Sequence, residues 1–205
     1  MALSNDLPAA TVIPAWTPHG ALALWRSQSG QLSACADRCP HRGMRLSHGF
    51  VRGEALSCIY HGWSYGQTGQ CTRIPAHPDL VPPDAIRVTV FRAVEQNGVV
   101  WIAADDVSAA PPVLDASPLR SVTTTADPAS IESAAGKACD PDGILRLELD
   151  GTRVLLLLAP QPGPDTLIHV LVDAQASTEA RIAVSKALEI FRRRAESLFS
   201  EGKAA

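Results

Sequence analysis

The chain has 205 residues, 46% of them hydrophobic, with 18 basic against 21 acidic side chains and a formal charge of −3. That length holds one large domain or two small ones with ample material for a core, and so weak a charge argues against a nucleic-acid partner or a membrane surface. The longest apolar run, Val154 to Ala159, is far below the roughly 20 residues of a membrane helix, the first basic residue is Arg26, and five cysteines is an odd number, so a reduced, cytoplasmic chain without a signal peptide is expected.

Residues 1–105 read as all-β. Ala21 to Trp25 is a short apolar strand, Ser29-Gly30 a turn, and Gln31 to Cys35 its returning partner. Phe91 to Glu95 and Val99 to Ala103 flank Gln96-Asn97-Gly98, a hairpin signal. Residues 106–118 are rich in Ala, Pro and Asp and read as a linker. In residues 119–205, Leu145, Leu147 and Leu149 alternate with Arg146 and Glu148, and Asp150-Gly151 turns the chain. Val154 to Leu158 and Thr166 to Val172 read as two further strands. From Thr178 to about Ser200, Val184, Leu188, Phe191, Ala195 and Leu198 recur at helical steps. Arg192, Arg193 and Arg194 read as a solvated helix face near the favourable C-terminal end of the dipole. The expected class is α+β: an all-β domain, then a small antiparallel sheet closed by a C-terminal helix.

Two segments carry chemistry: Cys39-Pro40-His41 and Cys58-Ile59-Tyr60-His61. Each offers one thiolate and one imidazole, the ligand set of a Rieske [2Fe–2S] centre, in which two Cys hold one iron and two His the other. Two mixed loops can clamp such a cluster from both sides, one ligand to each iron. Pro40, Gly43 and Gly62 suit tight loops around an inorganic core. Zinc is the main metal alternative, but its half-sites usually pair like with like, and C-x-H is tight for one tetrahedral ion. Cys35, Cys71 and Cys139 lack partner spacing and read as inert thiols.

The flanks Asp37-Arg38-Cys39-Pro40-His41-Arg42-Gly43, Cys58 to Gly66, Gly69-Gln70-Cys71 and Ile74-Pro75 resemble the Rieske domain of Rieske non-haem iron oxygenases, nearest the monooxygenase and O-demethylase branch. The resemblance covers about residues 20–104. It implies that Cys39 and Cys58 bind one iron and that His41 and His61 bind the other. The similar respiratory Rieske proteins add a disulfide between the loops, and Met44 and Tyr60 stand at those positions here. Trp63 replaces a serine that donates to the cluster there, while Tyr65 keeps the nearby tyrosine. Fewer such hydrogen bonds imply a potential in the lower part of the range of roughly −150 to +300 mV.

A complete oxygenase of this family also holds a mononuclear iron by two His and a carboxylate. Residues 106–205 contain one histidine, His169, which reads as an ordinary strand residue; His19, His48 and His77 have no ligand spacing. No mononuclear iron is therefore expected. The order strand, Asp-Gly turn, strand, strand, helix in residues 119–205 resembles a shortened helix-grip catalytic domain; an unrelated β–α module is the alternative. Three functions follow: an electron carrier between a reductase and a non-haem iron oxygenase, an iron-free subunit of a split or mixed oxygenase in a homo- or hetero-oligomer, or a redox sensor or structural subunit.

Overall fold

The computed structural model describes residues 1–18, 20–103 and 110–204. His19, residue 105 at the expected domain edge and residues 106–109 of the expected linker lie outside them. The chain divides into two compact units, Met1–Pro111 and Pro112–Ala205.

The first unit runs β1 (Ala2–Leu3), β2 (Thr11–Thr17), β3 (Gly20–Arg26), β4 (Leu32–Ala36), β5 (Phe50–Arg52), β6 (Ala55–Ser57), β7 (Ser64–Tyr65), β8 (Cys71–Arg73), β9 (Val90–Gln96) and β10 (Val99–Ala103). A six-stranded sheet has the order β1-β10-β9-β4-β3-β2, and a four-stranded one the order β5-β6-β7-β8. The strands expected at 21–25, 31–35, 91–95 and 99–103 are β3, β4, β9 and β10. Asn97 (φ 54°) and Gly98 (φ 71°) make the turn between the last two. Strand β3 reads as an unbroken apolar run because both its faces are covered. Leu22 and Leu24 join one buried cluster with Ala34 and Val100. Ala23 and Trp25 join another with Cys39, Leu56, Cys58 and Tyr65.

The second unit runs β11 (Ser117–Thr124), α1 (Pro128–Ala135), β12 (Ile144–Leu149), β13 (Thr152–Pro160), β14 (Thr166–Val172) and α2 (Thr178–Ala204). Its antiparallel sheet has the order β11-β14-β13-β12. Strand β11 starts at Ser117, inside the segment expected to be linker. Pro118 and a register shift after it hide the strand's period in the sequence. Helix α1 is likewise not marked by any apolar period in the sequence. Its signals are local: Asp127 Oδ1 accepts from Ser130 N at 2.8 Å, Pro128 follows the cap, and Gly136 closes the helix at φ 69°. Val184, Leu188, Phe191 and Ala195 of α2 pack with Leu145, Val154, Leu156 and Val170 in one core. Arg192 pairs with Glu189 at 3.1 Å and Glu196 at 2.6 Å, whereas Arg193 and Arg194 face solvent.

Candidate [2Fe–2S] site

The first Cys/His segment leaves the end of β4, and the second spans β6 to β7. They close in the same way. Cys39 N donates to Met44 O at 2.8 Å and Gly43 N to Cys39 O at 2.8 Å; Cys58 N donates to Trp63 O at 2.9 Å and Gly62 N to Cys58 O at 3.0 Å. The fifth residue of each loop is left-handed, Gly43 at φ 72° and Gly62 at φ 69°, a conformation costly for any residue with a Cβ.

The loops bring their four candidate ligands to one place. Cys39, His41, Cys58 and His61 line one small pocket, with Met44 and Trp63 among its other walls. The two thiols are buried. The His41 and His61 ring centroids lie 4.7 Å apart. Trp63 stacks on His41 at 4.3 Å with the planes 3° apart, so His41 is half-buried while His61 stands exposed beside Tyr60.

Burial pushes the Cys58 thiol up, and neighbouring Cys39 adds to it. Desolvation, then His61 and Arg42, hold His41 below its ordinary range. A pocket that disfavours thiolate and imidazolium charge in the bare protein suits a cationic metal core, which supplies the missing counter-charge and takes deprotonated ligands. The donor set of two sulfurs and two ring nitrogens fits a Rieske cluster. Among the described residues no group of three or more His, Cys, Asp or Glu side chains is placed to hold one metal ion; a split cluster asks for only two protein donors at each iron.

Supporting contacts surround the loops. Tyr65 Oη lies 3.1 Å from Cys39 Sγ. Burial, with Cys39 next, drives the phenol well above its usual range, so it keeps its proton as a donor. Asp37, also buried, accepts from Ser47 N and Ser47 Oγ, both at 2.7 Å, and pins the return of the first loop. In the second loop Ser57 Oγ and Ser64 Oγ are 2.9 Å apart, and Ser64 Oγ donates to Gly62 O at 3.2 Å. The Asp37–Ser47 brace, the serine pair and the Trp63–His41 stack escape the sequence reading. Asp37 stands two residues before Cys39, but nothing in the sequence ties it to Ser47.

Cys35 and Cys71 are buried in the same apolar cluster as the two loop cysteines; burial, then Asp37, raises Cys35 to about 12. Cys139 is half-buried, its amide donating to Glu132 Oε1 at 2.7 Å. His169 is 1% exposed, and its Nδ1 lies 2.9 Å from Ser121 Oγ across the β11–β14 pair. His48 and His77 are exposed. No helix among the described residues is long and apolar enough to cross a membrane.

The chain is similar to the oxidoreductase NdmD of Pseudomonas putida, 45% identical over 102 residues, which are 49% of this chain and 17% of that protein. It is also similar to the oxygenase component of dicamba O-demethylase from Stenotrophomonas maltophilia, 37% identical over 91 residues, 44% of this chain and 26% of that protein. The matches thus span 17% and 26% of these relatives' own lengths. The crystal structure of apo dicamba monooxygenase shares the fold at a TM-score of 0.75 and 17% identity, over 98% of this chain and 85% of that one. The Rieske [2Fe–2S] domain family matches residues 2–101. Those residues of this chain therefore belong to the Rieske [2Fe–2S] domain family.

Proposed function

We propose that this chain is a cytoplasmic one-electron carrier in which Cys39 and Cys58 hold one iron of a [2Fe–2S] cluster and His41 and His61 hold the other. It would receive electrons from a reductase and hand them to a non-haem iron oxygenase subunit. The observation that carries this reading is the convergence of all four side chains on one small pocket with His61 at the surface. When bound, such a cluster accepts and releases one electron at a time. The chain's own residues set the terms. Trp63 shields His41, Tyr65 Oη donates toward Cys39 Sγ, and the exposed His61 edge gives a partner the shortest approach. The similarity to oxygenase components supports the class of acceptor.

The second unit favours a second reading, an iron-free subunit of a split or mixed oxygenase. Likeness in fold to an oxygenase chain extends over 98% of this chain, beyond the Rieske domain, yet residues 112–205 contain a single histidine. Two histidines for a mononuclear iron would have to come from elsewhere. Iron and acid-labile sulfide analysis of the purified chain tests both readings. Two irons and two sulfides per chain, with an electron paramagnetic signal on one-electron reduction, are expected. A colourless protein with one zinc would overturn the cluster, and a third iron would overturn the missing mononuclear site. Co-purification with an iron-bearing oxygenase subunit separates the second reading from the first.

A further inference from the structure

Strand β12 ends its sheet, and among the described residues its outer edge pairs with no strand. The side of the strand that faces outward follows from Ile144. Its N–H goes to Asp142 Oδ1 at 3.1 Å and its C=O accepts from Asp140 N at 3.0 Å, so neither serves the ladder to β13. Backbone groups alternate along an antiparallel strand. Arg146 and Glu148 therefore also direct N–H and C=O to the free edge, while Leu145, Leu147 and Leu149 bond toward β13.

The residues on that edge are self-complementary. Set antiparallel to a second copy about a two-fold axis at Leu147, the sequence Leu145-Arg146-Leu147-Glu148-Leu149 places Arg146 opposite Glu148 of the other copy, twice. Those are the residues with outward backbone groups, so the register makes four new backbone hydrogen bonds and two cross-strand ion pairs together. An axis at Arg146 or at Glu148 sets like charges opposite each other. Glu148 is exposed, and Arg146 is held in place on the same face by Asp140 at 2.8 Å and Asp142 at 2.6 Å. On the other face Leu147 and Leu149 are only half-buried and line an open groove with Ala134, Ala135 and Phe191. A second Leu147 across the axis would cover part of it.

We infer that β12 is an isologous interface: two copies of this chain pair edge to edge through residues 145–149 and join their four-stranded sheets into one of eight strands. Natural edge strands are usually blocked by bulges, Pro or charges of one sign; this one carries alternating signs in mirror order.

Analytical ultracentrifugation of the full chain tests this. A reversible species of twice the 21.7 kDa chain mass is expected below a concentration on the order of 100 μM. Glu148→Arg and Arg146→Glu should each weaken it at least tenfold, because each homodimer then faces like charges. An equimolar mixture of the two variants should recover the dimer, since each Glu again meets an Arg. Glu148→Pro removes an outward donor that an edge strand can spare and should also leave monomer. It keeps the test valid if Arg146→Glu disturbs its loop and fails to fold. A chain monomeric throughout that range would overturn the proposal. So would a dimer indifferent to Glu148→Arg and Glu148→Pro, or folded charge variants that fail to recover on mixing.

Discussion

The loop from Cys39 to Met44 and the loop from Cys58 to Trp63 close with the same pair of backbone hydrogen bonds and the same left-handed glycine, yet their surroundings differ at almost every position. The first is braced by a buried carboxylate, Asp37, and its cysteine meets the Tyr65 hydroxyl. The second is braced by a serine pair and exposes Ile59, Tyr60 and His61. Trp63, the last residue of the second loop, lies flat on the histidine of the first. One backbone module used twice gives a clamp with two equivalent jaws. The side chains around it give one jaw a buried carboxylate brace and a half-buried histidine, and leave the histidine of the other exposed.

The strongest way to break this comparison is to remove a sulfur from either jaw. Cys39→Ala and Cys58→Ala should each abolish cluster binding, read as loss of iron, sulfide and visible absorbance together. Equivalence as ligands predicts equal loss. Retention of a full cluster by either variant would remove that cysteine from the ligand set.

Asp37 should matter next, and only to the first jaw. Asp37→Ala leaves the buried Ser47 N–H without its acceptor, a loss of about 2–3 kcal/mol for charge-assisted bonds of this kind. All four tryptophans lie in residues 1–111, so the denaturant midpoint of tryptophan fluorescence reports this unit alone. An unshifted midpoint would show that Asp37 braces nothing.

How much of this was legible beforehand depends on the range of the interaction. The four candidate ligands lie in two short segments whose spacing is local, and the sequence exposes them directly. So do β3, β10, the Asp150-Gly151 turn and the apolar stripe of α2, each marked by a period or a turn residue. What the sequence hides is pairing across distance. Nothing in the order of residues says that Trp63 covers His41 or that Asp37 reaches Ser47. Strand β11 is hidden for another reason: Pro118 and an irregular register break its alternation. Helix α1 is the instructive failure, since Asp127, Pro128 and Gly136 mark both its ends, but eight residues are too few for an apolar period to stand out.

The Tyr65 contact predicts a smaller difference between the jaws. With the phenol held protonated by burial and by Cys39, its O–H donates to the sulfur and favours the more negative, reduced state. Tyr65→Phe should keep the iron and lower the reduction potential. A hydrogen bond stronger by roughly 1 kcal/mol in the reduced state is worth about 40 mV for one electron. A potential unchanged by protein-film voltammetry would mean that the hydroxyl does not tune the cluster.

The two glycines give the finest test, because there the backbones match and only the neighbours differ. A Cβ at either position enters the left-handed region, at a cost of about 1 kcal/mol. At Gly43 that Cβ would stand 3.4 Å from Arg38 Nε, in a long side chain able to swing aside; at Gly62 it would stand 3.0 Å from Pro75 Cγ, in a ring that cannot. Gly62→Ala should therefore lower the tryptophan-fluorescence midpoint further than Gly43→Ala, by up to about 1 kcal/mol, the usual lower end of overpacking costs. Equal shifts would mean that Pro75 yields as easily as an arginine and that the second jaw is not wedged from behind. A larger shift for Gly43→Ala would reverse the assignment, since the first jaw would then have the less forgiving surroundings despite its flexible neighbour.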